Sequence, residues 1–179
     1  MATFGSTNNT STENTSGDHR FSGGVMATGG TLTDVAVYIA GWTGGATFRF
    51  AIYQGGSAGD PTGATLVWQS NQVTDSSGTA GWRTMTGSYS QSVSGTLAAS
   101  RTWIRVKNND GTVYLTNTDK GDWATGSEQS NVANTTSVAF DSTWTTDAGT
   151  VGAEAIKAYL TYTEASAQTT GRGPLLGVG

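Results

Sequence analysis

The firmest constraint in this chain is a period of two. In "ATFRFAIY", Phe48, Phe50 and Ile52 alternate with Thr47, Arg49, Ala51 and Tyr53. Successive side chains of an extended strand point to opposite faces, so the pattern predicts a strand with one apolar face and one that carries charge. The same period recurs in "TLTDVAVYIA", where Val35, Val37 and Ile39 oppose Asp34, Ala36 and Tyr38. In "RTWIRVK", Thr102, Ile104 and Val106 alternate with Arg101, Trp103, Arg105 and Lys107. In "EAIKAYLTY", Ile156, Ala158 and Leu160 oppose Lys157, Tyr159 and Thr161. A surface helix needs apolar residues three and four apart, and no useful length of chain shows that spacing.

Turn chemistry separates these runs. "NNDG", Asn108–Gly111, ends in an Asp-Gly pair that tolerates positive φ and predicts a hairpin into Val113 and Leu115, with Tyr114 on the opposite face. Between Gly55 and Gly63, Asp60 and Pro61 predict a turn, so the loop reads as a connector to the strand of Leu66 and Trp68. Shorter strand candidates cover Arg20–Met26 and "GWRTMTGSYSQSV", the latter broken near Gly87. Thr118–Ser137 is loop-rich. About nine or ten strands, spaced roughly 10–15 residues apart, predict an all-β chain: an antiparallel β-sandwich, jelly-roll-like, with a C-terminal extended arm. The 179 residues suit one domain, assigned to residues 1–163. Residues 164–179 read as the flexible arm, with a small polar linker followed by Leu175, Leu176 and Val178 among glycines.

Composition narrows the chemistry. Nine Lys and Arg and a net charge of −4 argue against a nucleic-acid partner. There is no cysteine, hence no disulfide or thiolate site. "MATFGSTNNT" has no basic or apolar stretch of a secretory signal, and no apolar run reaches the ~20 residues of a membrane span. The expectation is a soluble protein made in the cytoplasm. The one histidine, His19, has no nucleophile motif to serve, and Gly-rich phosphate-binding loops are absent. Most acids, Asp60, Asp75, Asp110, Asp119, Asp122, Asp141 and Asp147 among them, fall in turns, which suits their side chains. "NNDG" and "DKGD" gather oxygen ligands as a calcium site would, but neither matches a full calcium loop. No enzyme, cofactor or metal is expected.

Aromatic residues offer the remaining signals. Trp42, Trp123 and Trp144 lie in loops where a ring can stack on a sugar, which keeps a surface glycan open as a partner. The outward faces carry Tyr53, Trp103, Tyr114 and Tyr159 beside Arg49, Arg105, Lys107 and Lys157. Aromatic and arginine enrichment marks subunit contacts. Tyr53, Trp103, Tyr114 and Tyr159, with Leu175, Leu176 and Val178 of the arm, are therefore the candidates for a homo-oligomer interface.

The order "SGDHRFSGGVMATGGTLTDVAVYIAG", "FRFAIYQGG", "GDPTGATLVWQS", "GWRTM" and "SGTLAASRTWIRV" resembles a β-sandwich module of tailed-phage structural proteins, related modules of which occur in bacterial surface proteins. In that family an "AIY" strand precedes a Gly-x-Pro loop, then a "GW" strand and a strand ending in Tyr-Trp. Ala51–Tyr53, Asp60–Pro61, Gly81–Trp82 and Thr102–Trp103 stand at those places, and the resemblance spans about residues 2–107. It implies a virion component, most simply a capsid decoration or cement protein, whose partners are the major capsid protein or tail proteins. Alternatives are a tail or fibre component contacting the host, and a carbohydrate-binding β-sandwich module.

Overall fold

Alternating sequences become paired strands only when each apolar face meets another. The computed structural model describes residues 1–7, 13–16, 19–41, 46–75, 79–108, 114–119, 128–132, 140–145, 150–152 and 154–166. Among them the strands are β1 (Ala2–Gly5), β2 (Glu13–Ser16), β3 (His19–Val25), β4 (Gly30–Gly41), β5 (Ala46–Gln54), β6 (Thr65–Gln69), β7 (Val73–Asp75), β8 (Gly81–Thr84), β9 (Thr96–Leu97), β10 (Arg101–Asn108), β11 (Tyr114–Asp119), β12 (Glu128–Val132), β13 (Thr150–Gly152), β14 (Glu154–Ile156) and β15 (Ala158–Glu164). One sheet runs β1-β15-β4-β11-β14, with β8 and β9 also on β4 and β2 on β11. The other runs β13-β12-β3-β10-β5-β6, with β7 on β5. Every strand pair is antiparallel. The two sheets pack on each other as an antiparallel β-sandwich, and no described residue is helical.

The interior between the sheets is built by the residues that the alternation picks out. Val35, Val37, Ile39, Ile156, Ala158 and Leu160 of the β4 sheet meet Phe48, Phe50, Ile52, Ile104 and Val106 of the β10 sheet. Each large apolar side chain buried in this way contributes on the order of 1.5–3 kcal/mol. Leu32 also faces inward although it stands an odd number of residues before Val35. A register shift resolves this, because Tyr162 pairs with Leu32 while the preceding Thr161 pairs with Asp34. This β-bulge adds one residue to β4 and restores the inward phase. At another point the sheets are tied directly, as the Ile156 amide of β14 donates to Ser22 Oγ of β3 at 2.9 Å.

The outer face of the β10 sheet departs from the sequence expectation. Trp103 pairs with Tyr53, Arg105 with Ala51 and Lys107 with Arg49, as the alternation requires. This face is not left to solvent, however. Residues 140–145 cross it, so Tyr53 and Trp103 have no exposed surface and form a second apolar cluster with Phe21, Phe140 and Trp144. The strap is held by backbone bonds from Gly63 to Trp144 (2.9 Å), Trp144 to Ala64 (2.8 Å) and Leu66 to Ser142 (2.8 Å). The Tyr53 hydroxyl donates to the Asp141 carbonyl at 2.8 Å. Arg105 is 3% exposed and stacks 4.1 Å from the Trp144 ring centroid, while the Lys107 ammonium lies 5.0 Å from that of Phe140. Cations over aromatic faces offset part of their own desolvation.

Two further expectations change. "GSYSQSV" forms a turn and an extended coil after β8 instead of a second strand, with Ser90 at φ 51°. β15 runs through Glu164, and the Ala165 amide donates to the Gly29 carbonyl at 3.0 Å. The pairing therefore continues past the expected boundary at Thr163. Leu175, Leu176 and Val178 lie outside the described residues, as do Trp42, Trp123 and most of the "NNDG" and "DKGD" stretches.

Candidate binding face

The outer face of the β4 sheet follows from register. Thr3, Thr161 and Asp34 form one row across β1, β15 and β4. Gly5, Tyr159, Ala36 and Thr84 form the next, across β1, β15, β4 and β8. Tyr38 and Trp82 stand side by side beyond it. The strands put these side chains outside because their neighbours Phe4, Val35, Val37, Ala158 and Leu160 are in the core.

Three of these side chains form a continuous aromatic strip. Trp82 meets Tyr38 edge to face, with centroids 5.5 Å apart and planes at 80°. It meets Tyr159 with centroids 5.0 Å apart and planes at 59°. Trp82 and Tyr159 are separated by β4, so this contact runs over Ala36. That residue points outward yet is 0% exposed, covered by the rings around it. A larger side chain at position 36 would break the strip. All three rings are only partly buried, unlike Tyr53 and Trp103 on the opposite side of the molecule.

Charge at this face is sparse and fixed in place. Lys157 is 1% exposed, with its ammonium 5.3 Å from the Tyr38 centroid, and its carbonyl accepts from the Tyr38 amide at 2.8 Å. Asp34 Oδ1 accepts from the amides of Val35 at 2.9 Å and Thr86 at 3.0 Å, which pins the bulge of β4 to the turn after β8. Thr33 and Thr161 share a hydroxyl hydrogen bond of 3.0 Å. Burial first, and the Asp34 charge second, raise the Tyr159 phenol above its ordinary pKa of 10.0. Among the described residues, no hydrogen bond engages the Tyr38 or Tyr159 hydroxyl, the Trp82 indole N–H or Asp34 Oδ2. The strip thus presents apolar rings with polar tips open to a ligand.

The sequence-derived candidates are divided between surroundings. Tyr159 belongs to this face. Tyr53 and Trp103 point outward from the β10 sheet as the alternation requires, but residues 140–145 lie over them, so they are buried and not open to solvent. Tyr114 begins β11, in register with Gly41 of β4 and Ser16 of β2. Trp144, expected as a loop platform, is 1% exposed, and among the described residues its indole N–H has no hydrogen-bond partner. Tyr38 and Trp82 were missed. The alternation had put Tyr38 outside, but nothing local reveals that "GW" pairs beside it.

Other ionisable groups have structural uses. Arg83 of β8 pairs with Asp75 of β7 and so links the two sheets, and the Tyr89 hydroxyl donates to Asp75 Oδ2 at 3.1 Å. Asp60 Oδ1 accepts from the Thr62 amide at 2.9 Å, which lowers its pKa. Paired backbone bonds between Ser57 and Asp60 (2.8 and 3.2 Å) close the same loop on itself, in keeping with a connector. Among the described residues, no group of three or more His, Cys, Asp or Glu could hold a metal ion, and no helix is long and apolar enough to cross a membrane. Comparison of the chain with protein-family models and with curated proteins finds no match in either.

Proposed function

We propose that the protein is a structural component of a bacteriophage virion, in the first place a capsid decoration or cement protein. The observation that carries this reading is the placement of the resembling segments. Ala51–Tyr53 lies on β5 and Thr102–Trp103 on the neighbouring β10, where Tyr53 and Trp103 are register partners. The Asp60–Pro61 loop leaves the same sheet, and the Trp103 indole donates to Gly55 at its base at 2.9 Å. Trp82 belongs to the facing sheet. That these segments lie within one folded framework supports the reading. The partners on this reading are the major capsid protein or tail proteins, with further copies of this chain. A tail or fibre location is the second assignment.

Mass spectrometry of purified particles tests it. Copies approaching those of the major capsid protein support decoration, and a few copies per particle favour the tail. Absence from purified particles contradicts the reading.

A further inference from the structure

We infer that the outer face of the β4 sheet, centred on Trp82, binds a neutral saccharide. The inference concerns the isolated protein and holds or fails whatever the particle location. Sugars present apolar C–H faces ringed by hydroxyls, and an aromatic ring with polar groups at its margin matches both features. Trp82 is held in place by Tyr38 and Tyr159 on its two sides, so little side-chain freedom remains to be lost on binding. Around the rings stand two phenol oxygens, an indole N–H and Asp34 Oδ2, none engaged by a described residue. That set contains donors and acceptors, as hydroxyl recognition requires.

Charge narrows the ligand. Among the described residues the strip carries one charge of each sign, the Lys157 ammonium buried beneath Tyr38 and the Asp34 carboxylate at its margin. The opposite charges give the strip no net attraction for an anionic sugar, which favours a neutral one. Shape limits its size. The rings stand 5.5 and 5.0 Å apart and are inclined to one another by 80° and 59°, so they offer no flat platform to a long polymer. Gly5 flanks Tyr159 in its row on the side away from Ala36, and its lack of a side chain leaves low ground beside the ring. At Gly5, with φ +111°, a Cβ would also collide with the Ala158 carbonyl. The strip therefore suits one or two sugar units.

The full chain should be titrated with maltohexaose, cellohexaose and chitohexaose, with sialyllactose as the anionic control, by tryptophan fluorescence and calorimetry. The expected result is saturable binding of at least one neutral oligosaccharide. Trp82→Ala should weaken it by about tenfold or more while circular dichroism is retained. Tyr159→Phe, which keeps the ring and loses the hydroxyl, should weaken it by less. The inference is overturned if no neutral sugar binds, if sialyllactose binds best, or if Trp82→Ala binds like the parent protein. Should Trp82→Ala not fold, unchanged affinity in Tyr159→Phe overturns it. Self-association abolished by Trp82→Ala, without sugar binding, would assign the face to a second copy and also overturn it.

Discussion

Trp103 and Trp82 occupy outward positions on central or neighbouring strands, yet their surroundings differ. Trp103 is 0% exposed. It packs edge-on against Phe21 at 5.8 Å, donates to the Gly55 carbonyl and lies over Gly23, where a Cβ would run into its ring. Trp82 keeps partial exposure and meets the Tyr38 and Tyr159 rings of its own sheet. Trp103→Ala is therefore expected to cost about 3–5 kcal/mol, the usual penalty for emptying a large aromatic site. Chemical denaturation measures this directly. Loss of oligomers with an unchanged unfolding midpoint would show instead that Trp103 lies at a subunit contact.

Between elements, two features decide how the sheets fit. The bulge of β4 at Thr33 and Asp34 lets Leu32 and Val35 share the core, and Asp34 fixes it to the turn after β8. At the sheet edge, Asp75, Arg83 and Tyr89 join β7, β8 and the following turn. Burial, followed by the Asp75 charge, raises the Tyr89 phenol well above 10.0, so the fold favours its neutral form. Below that pH the phenol is neutral whether the chain is folded or unfolded, and its contribution is fully present. As pH rises past 10.0, the unfolded phenol ionises first and stability falls; Tyr159, raised in the same direction, adds to the loss. Tyr89→Phe should lose about 1 kcal/mol at neutral pH and show a shallower alkaline decline in Tm. An alkaline decline as steep as that of the parent protein would exclude this role.

Over the whole molecule, the two outer faces are treated differently: one is covered by the chain's own strap and the other keeps an aromatic strip partly exposed. The sandwich and its inward residues were legible because β4, β5, β10 and β15 are long enough to display a period of two. Strands of two or three residues, such as β7, β9, β13 and β14, display no period, so more strands form than the pattern suggests. The covering of Tyr53 and Trp103 was not legible, since Phe140 and Trp144 lie far along the chain and reach them through backbone bonds to Gly63, Ala64 and Leu66. The strip was half legible. Alternation put Tyr38 and Tyr159 outside, but the pairing of β8 with β4 that sets Trp82 between them is a long-range event.

The difference between the two faces can be read by modifying the folded protein with N-bromosuccinimide and locating the oxidised tryptophans by mass spectrometry. Trp82 should react in the native state, while Trp103 and Trp144 should stay protected until the protein is unfolded. Trp103 reacting as fast as Trp82 would contradict the covered face, and with it the assignment of the β4 sheet as the working surface.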